Sequence, residues 1–471
     1  MKNKIIINSL LGATLLCSVL ITSCSDNATD STPTQTELYP ISFSTDVEQT
    51  RATTGSIDNL NALKMVSEGF GVIAYLTDEN TWTEAKGSYE GNDAAYPAPD
   101  YMYNQQVTWG WMDKQTYNDG SINWETSKGD WIYSPLKYWP NTTKNATNRY
   151  ISFFAYAPFI ERAAMGSYGI TDMTKAEDKS PFLVYKLDTE HGTNQIDLLW
   201  SDPKLDAKRN GEGLIYFEGD PAQEKWQKVP LNFHHTMAAL EVYVMRVYDE
   251  PTGSGKKPAA EEHTKLLVSE LQLKGIDNTT TKGLFSGGRL NLETGKWGSD
   301  GTWAESTSVD PLTLTYSEQN FVDVVRGTKS TEPLDIRNYE LNKWEGDSYG
   351  VDEEERLLMK DGVLTLLPTG GEVTITPSLT YSMITRDDEL LLSTLTDKDG
   401  HKYARIVNSV EGNSQKLNIE RGKKYKIVIR IGVEHVEFEV VSVTDWDFPM
   451  RFNPNVDSTT EQEITHTINE D

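Results

Sequence analysis

The chain has 471 residues, of which 37% are hydrophobic and 10% aromatic, and it carries a net charge of −27. This length predicts two or three domains. The acidic balance argues against a nucleic-acid partner and against membrane binding through a polybasic patch, because both need a basic surface. Both cysteines, Cys17 and Cys24, lie in the first 24 residues. We therefore expect the rest of the chain to fold without a disulfide, a catalytic cysteine or a cysteine-based metal site.

Residues 1–23 have the pattern of a secretory signal peptide, with a basic start followed by an apolar run over residues 5–21. That run is too short and too close to the terminus for a convincing membrane span. Residues 21–24 resemble a bacterial lipobox, which predicts that Cys24 is lipidated and becomes the first mature residue. The alternative is an ordinary signal peptide with an incidental cysteine. The polar residues 24–37 are typical of a flexible tether.

The rest of the chain is rich in strand patterns, and helical periodicity is limited to residues 56–65. Alternating or continuous apolar runs predict strands at residues 41–45, 70–76, 150–156, 195–200, 231–235, 239–245, 264–273, 362–367, 372–378, 425–431 and 435–440. Many short strands separated by Gly, Asn and Asp turns indicate an all-β protein built from sandwiches. The strand pattern restarts at Val229, so we place one sandwich domain at 38–228, a second at 229–452, and a polar tail at 453–471.

Residues 87–131 mix Gly, Asn and Asp with many aromatic residues. This composition predicts long loops in the first domain that carry Trp109, Trp111, Trp124 and Trp131. Two roles fit these rings: they stack on the sugars of a ligand, or they pack the loops onto the sheets. Packing is the favoured interpretation, since most aromatic side chains serve a core.

No pattern predicts a catalytic site, a metal site or a cofactor. His234 and His235 are adjacent in a predicted strand, so one should point into the core and the other away from it. The run at 397–400 opens like a calcium loop but lacks the required glycine and glutamate, and the acidic run at 352–355 is typical of a solvated loop. Because no nucleophile elbow or phosphate loop is present either, we predict that the protein is not an enzyme.

Several local patterns, taken in order, resemble the fimbrillin family of Bacteroidales, the type V pilins, and its Mfa-like branch in particular. The residues that carry this resemblance are the lipobox at Cys24, the first strand at 41–43, the segment 50–52, Tyr138-Trp139-Pro140, the segment 153–158, the segment 195–199, the segment 233–240, Gly422-Lys423-Lys424-Tyr425 and Trp446. Residues 233–240 are similar to the family's Phe-x-His-x-x-Ala-x-Leu entry into its second domain.

The resemblance implies two tandem transthyretin-like β-sandwich domains after a lipoprotein signal peptide, and export to the outer membrane as a palmitate-bearing surface lipoprotein. It also implies proteolytic maturation between Arg51 and Ala52, followed by strand exchange with other pilin subunits in a fimbrium that serves adhesion. Ile464 and Ile468 are the candidate donor-strand residues of the tail. His466 between them makes a poor donor, so a shaft, tip, anchor or accessory position stays open. The alternative function is a surface glycan-binding lipoprotein of a polysaccharide-uptake system.

Overall fold

Strands account for most of the described residues of this computed structural model, as the apolar pattern of the sequence predicts. The structure describes residues 39–47, 57, 60–86, 97–140, 149–175, 180–188, 196–210, 213–222, 224–246, 264–276, 283–298, three short strands between 312 and 329, and 364–445 except 387–388, 391, 397–399, 401 and 432–435. All of these belong to one compact unit, Leu38–Asp471.

The strands, numbered in chain order, are β1 Phe43–Val47, β2 Phe70–Asp78, β3 Met102–Asp113, β4 Lys128–Ile132, β5 Tyr150–Ala157, β6 Gly169–Met173, β7 Phe182–Lys186, β8 Leu199–Ser201, β9 Lys204–Arg209, β10 Ile215–Phe217, β11 Val229–His235, β12 Ala238–Arg246, β13 Thr264–Ile276, β14 Gly287–Asn291, β15 Lys296–Trp297, β16 Leu312–Thr315, β17 Val322–Asp323, β18 Thr328–Lys329, β19 Leu364–Leu366, β20 Val373–Arg386, β21 Tyr403–Glu411, β22 Gln415–Leu417, β23 Lys423–Ile431 and β24 Val436–Asp445. The helices are short: α1 Leu60–Met65, α2 Trp82–Lys86 and a 3₁₀ helix at Arg162–Ala164.

A nine-stranded sheet runs in the order β1-β11-β8-β5-β2-β3-β4, with β9 and β10 attached beside β5. Its central strands β2 and β5 are apolar on both faces because each face covers a core. On β2, Phe70 and Val72 lie in one core while Ile73 and Tyr75 lie in the other. This alternation is what the pleat of a strand dictates.

The second of these cores is covered by a four-stranded sheet in the order β15-β14-β7-β6. Its pairing of β14 with β7 joins Gly287–Asn291 to Phe182–Lys186. Strand β11 also belongs to the nine-stranded sheet, where it pairs with β1 and β8. Strands therefore pair across the domain boundary predicted at 228/229, because β11, β14 and β15 of the second predicted domain join sheets with strands of the first.

A third core lies between two further sheets, one in the order β19-β12-β23-β24 and one in the order β18-β17-β13-β20-β21. The hairpin predicted near the C-terminus is confirmed, since β23 and β24 pair antiparallel from Lys423↔Asp445 to Ile431↔Val436. Ile429 and Phe438 of this hairpin are buried in the core. The mostly β architecture is thus confirmed, and no helix among the described residues is both long and apolar enough to span a bilayer.

Candidate functional site

The first strand lies at one end of the nine-stranded sheet. β1 pairs in parallel with β11, in a register that runs from Phe43↔Val229 to Val47↔Phe233. The amide of Val229 donates to the carbonyl of Ser42 over 2.9 Å, which extends the pairing by one residue. β1 is thus an edge strand held by one neighbour through its own hydrogen-bond ladder.

The residues before β1 lie against a different part of the chain. The amide of Ile41 donates to the carbonyl of Lys137, and the amide of Trp139 donates to the carbonyl of Tyr39, each over 2.8 Å. The segment 137–139 follows β4, the strand at the opposite end of the sheet. Residues 39–47 therefore bridge the two ends of the sheet. We call the space that they fill the β1 groove.

The side chains of this segment complete the first core. Ile41 is 1% exposed and Phe43 is fully buried. The Phe43 ring packs at centroid distances of 6.2 Å from Phe70, 5.8 Å from Tyr133 and 5.9 Å from Phe153. Burial of a phenylalanine of this kind is worth about 3 kcal/mol. The β1 groove therefore combines an apolar pocket for side chains with backbone groups that pair with a strand.

Two polar groups of the groove also bind the segment. The hydroxyl of Tyr133 donates to the carbonyl of Ile41 over 2.9 Å, and burial raises the pKa of this tyrosine to about 12. The indole Nε1 of Trp131 donates to the hydroxyl Oγ1 of Thr45 over 2.8 Å. Two side-chain donors of the groove thus bind the segment 39–47.

Trp131 begins a row of four indoles that we call the tryptophan ladder, made of Trp131, Trp109, Trp111 and Trp124. Successive ring centroids are 5.2, 5.9 and 5.5 Å apart. Trp109 and Trp111 lie on β3 and Trp131 on β4, so the prediction that all four lie in loops was wrong for three of them. The antiparallel pairing of β3 with β4 brings Trp109 opposite Trp131 on one face.

Lysine side chains cover part of the ladder. Nζ of Lys64, on α1, lies 4.6 Å from the Trp109 ring centroid and 5.5 Å from that of Trp124, while Nζ of Lys114 lies 5.5 Å from that of Trp111. Burial lowers the pKa of Lys64. Trp131 is 6% exposed, and the other three rings are half-buried. These contacts favour the packing interpretation for Trp131 and Trp109.

The two histidines point to opposite faces of β11, as predicted. His235 is buried, and its Nδ1 lies 2.8 Å from Oδ1 of Asp197. The partly exposed His234 places its Nε2 3.0 Å from Oδ2 of Asp202. The second oxygen of Asp197 accepts a hydrogen bond from the amide of Ile57 over 2.7 Å. The buried pair thus ties β11 to the segment that enters α1.

Comparison with known proteins identifies the family. A model of the fimbrillin-like family matches residues 50–446. The chain belongs to the fimbrillin-like family. A crystal structure of a fimbrial protein from Bacteroides vulgatus is similar over 86% of this chain and 99% of its own, with 17% identity and a TM-score of 0.50. A fimbrial assembly protein from Parabacteroides distasonis matches 87% of this chain and 96% of its own, with 8% identity and a TM-score of 0.30. No curated protein sequence matches the chain.

The predicted lipidation, cleavage and donor-strand residues cannot be located in the described part of the chain. Cys24, Arg51, Ala52, Ile464 and Ile468 all lie outside the described residues. β1 ends at Val47, so the predicted cleavage point follows the edge strand of this fimbrillin-like chain by four residues. Among the described residues, no group of three or more His, Cys, Asp or Glu side chains is arranged to hold a metal ion.

Sequence reasoning missed the polar contacts of the groove. Trp131 binds Thr45 and Tyr133 binds Ile41, and each pair is separated by more than 80 residues of chain. No local sequence pattern indicates either pair. The Asp197–His235 pair carried a signal, since both residues belong to the segments that resemble the family.

Proposed function

We propose that the protein is a non-enzymatic subunit of a type V pilus, either a shaft subunit or an accessory or tip lipoprotein, that joins other pilin subunits by strand exchange after proteolysis. The observation that carries this proposal is β1: an edge strand whose Phe43 is fully buried and which ends four residues before Arg51. Membership of the fimbrillin-like family supports it.

The physical scheme follows from the contacts of residues 39–47. A cut after Arg51 separates β1 from the rest of the chain. The strand is then held only by noncovalent contacts and can leave the sheet. Its departure exposes the backbone N–H and C=O groups of β11 that pair with β1. It also exposes the pocket around Phe70 and Phe153. An extended segment from another subunit then restores the backbone hydrogen bonds and refills the pocket. Because this contact is head-to-tail, it continues from subunit to subunit into a filament.

A purified full-length protein treated with an Arg-specific protease tests the scheme. We expect one early cut that creates a new N-terminus at Ala52, and release of the preceding segment on mild warming. The Arg51→Gln variant is the matched control and should resist this cut. Higher oligomers after the cut indicate a shaft subunit, whereas a monomer that accepts a foreign strand indicates a tip or accessory subunit. Resistance of the native protein at Arg51 would contradict the scheme.

The surface location rests on a separate residue. We propose that Cys24 carries the lipid that anchors the exported protein to the outer membrane, with residues 24–37 as the tether. Cys24→Ala should move the protein from the membrane fraction to the soluble fraction without changing its fold, because a lipid chain supplies the membrane affinity. A variant that still fractionates with membranes would contradict lipidation at this residue.

A glycan-binding surface lipoprotein is the second candidate, and the half-exposed end of the tryptophan ladder favours it. Trp111 and Trp124 are the rings of the ladder farthest from the core contact of Trp131 with Phe70. Affinity electrophoresis in gels containing polysaccharide tests this role. Retardation that disappears with Trp111→Ala but persists with Tyr117→Ala, at an exposed neighbouring turn, would support it.

A further inference from the structure

The segment that fills the β1 groove has a chemical pattern of its own. Ile41 and Phe43 are buried, whereas Ser42, Ser44 and Thr45 are partly exposed, and of these three Thr45 binds Trp131 through its hydroxyl. Ile41 and Phe43 contribute buried apolar side chains, and Thr45 contributes the hydroxyl that accepts from Trp131. The pattern is therefore apolar, aromatic and hydroxyl at every second residue.

Resting on the strand exchange proposed above, we propose that this groove selects its donor by that pattern. It takes a strand of another subunit that carries a large apolar ring at the position of Phe43 and a Ser or Thr hydroxyl at the position of Thr45. Residues 463–468 of a second copy of this chain do not meet the requirement. The protein is therefore an acceptor for a different subunit rather than for itself.

The hydroxyl is required because the indole of Trp131 is largely buried, and its N–H donates to Thr45. Its ring lies 4.9 Å from Phe70 and 5.2 Å from Trp109, and the residue is 6% exposed. A strand with an apolar side chain at this position would leave the buried N–H without an acceptor. Such a group costs about 1–3 kcal/mol, which corresponds to a loss of affinity of roughly 5- to 150-fold.

The ring is required because three aromatic side chains surround Phe43. If residues 463–468 of the tail were extended, Ile464, His466 and Ile468 would share one face, and the segment holds no Phe, Tyr or Trp for the position of Phe43 in any register. When Ile464 takes the position of Ile41, His466 falls at that of Phe43 and Ile468 at that of Thr45. This register buries a polar ring in the apolar pocket and offers no acceptor to Trp131.

The groove's selectivity can be measured in the full-length, uncut protein. Thr45→Val should raise the unfolding equilibrium constant about tenfold, because it removes the acceptor and keeps the shape, whereas Thr45→Ser should change it by about threefold or less. In the Trp131→Phe background, which has no N–H, the Val and Ser variants should differ by no more than about twofold. Equal effects of Val and Ser in the native background would overturn the hydroxyl requirement.

Exchange is measured on the complete chain after it has been nicked at Arg51. Labelled peptides of residues 39–47 compete for the groove, either native or carrying Thr45→Ser, Thr45→Val or Phe43→His, beside a peptide of residues 460–471. We expect the Thr45→Val peptide to bind about tenfold more weakly than the native one, and the Phe43→His and 460–471 peptides about a hundredfold or more. A 460–471 peptide that binds as tightly as the native one would overturn the proposal. Failure of every peptide to enter would instead contradict strand release itself, while the uncut protein still decides the groove's chemistry.

Discussion

His235 Nδ1 lies 2.8 Å from Asp197 Oδ1, and the two side chains are 0% and 3% exposed. The other carboxylate oxygen holds the amide of Ile57, so one buried aspartate joins two distant parts of the chain. The neighbouring pair of His234 with Asp202 has nearly the same distance, 3.0 Å, but its side chains are 20% and 44% exposed. Two adjacent histidines thus offer a matched comparison of a buried and an exposed pair.

We expect Asp197→Ala to lower the free energy of unfolding by about 3 kcal/mol, because it leaves the buried imidazole and the Ile57 amide without their acceptor. Asp202→Ala, the matched control, should cost about 1 kcal/mol or less, since water replaces the lost partner. Chemical denaturation of the two variants measures both values. Equal losses would show that burial does not set the strength of these pairs.

The tryptophan ladder makes a prediction about Gly129. A Cβ at this residue would lie 2.6 Å from atoms of the Trp109 indole, closer than packed atoms approach. Gly129→Ala should therefore destabilise the fold by about 1–3 kcal/mol through displacement of that ring. Gly166→Ala is the control, because a Cβ there meets nothing within 4 Å. A stable Gly129→Ala protein with an unchanged melting temperature would mean that the hairpin is looser than its contacts indicate.

The fold was predictable where the apolar period was clean. Strands β2, β5, β23 and β24 were each identified from alternating or continuous apolar residues, because burial dictates that pattern directly. The hairpin of β3 and β4 was missed, since its Gly, Asn and Trp residues conceal a period of two. The pairing of β14 with β7 was also missed, because tertiary packing determines which strands pair and the local sequence pattern does not encode it.

The groove was predictable only in part. A strand at 41–45 followed from the alternation of its residues, and the structure places Ile41 and Phe43 of this segment in the core. The acceptor role of Thr45 could not be predicted, because an alternating strand assigns a face to a hydroxyl but not a partner across 86 residues.

The tail at 453–471 lies outside the described residues, and its sequence makes a clear prediction. It is polar and has few apolar residues to bury, so its deletion should leave the melting temperature of the protein nearly unchanged. Deletion of residues 436–471 is the contrasting variant. It removes β24 and the buried Phe438 and should abolish cooperative unfolding. A large loss of stability on removing 453–471 alone would mean that the tail docks as a strand in its own subunit.

The last prediction concerns the alkaline stability of the β1 groove. Burial raises the pKa of Tyr133 to about 12 in the folded protein, against 10.0 for a free tyrosine. The folded state therefore holds the phenolic proton more tightly than the unfolded state does. The resulting stabilisation is complete below pH 10 and is lost as the pH rises from 10 towards 12.

Tyr133→Phe removes this proton and the hydrogen bond to Ile41. The variant should be about 1 kcal/mol less stable at neutral pH and should lose less stability than the native protein between pH 10 and 12. Tyr425→Phe serves as a positive control, because burial raises the pKa of that tyrosine to about 12 as well. Its replacement should also reduce the loss of stability between pH 10 and 12. Denaturant titrations at several pH values give these slopes. A Tyr133→Phe slope equal to that of the native protein would show that the Tyr133 hydroxyl is not buried against the first strand.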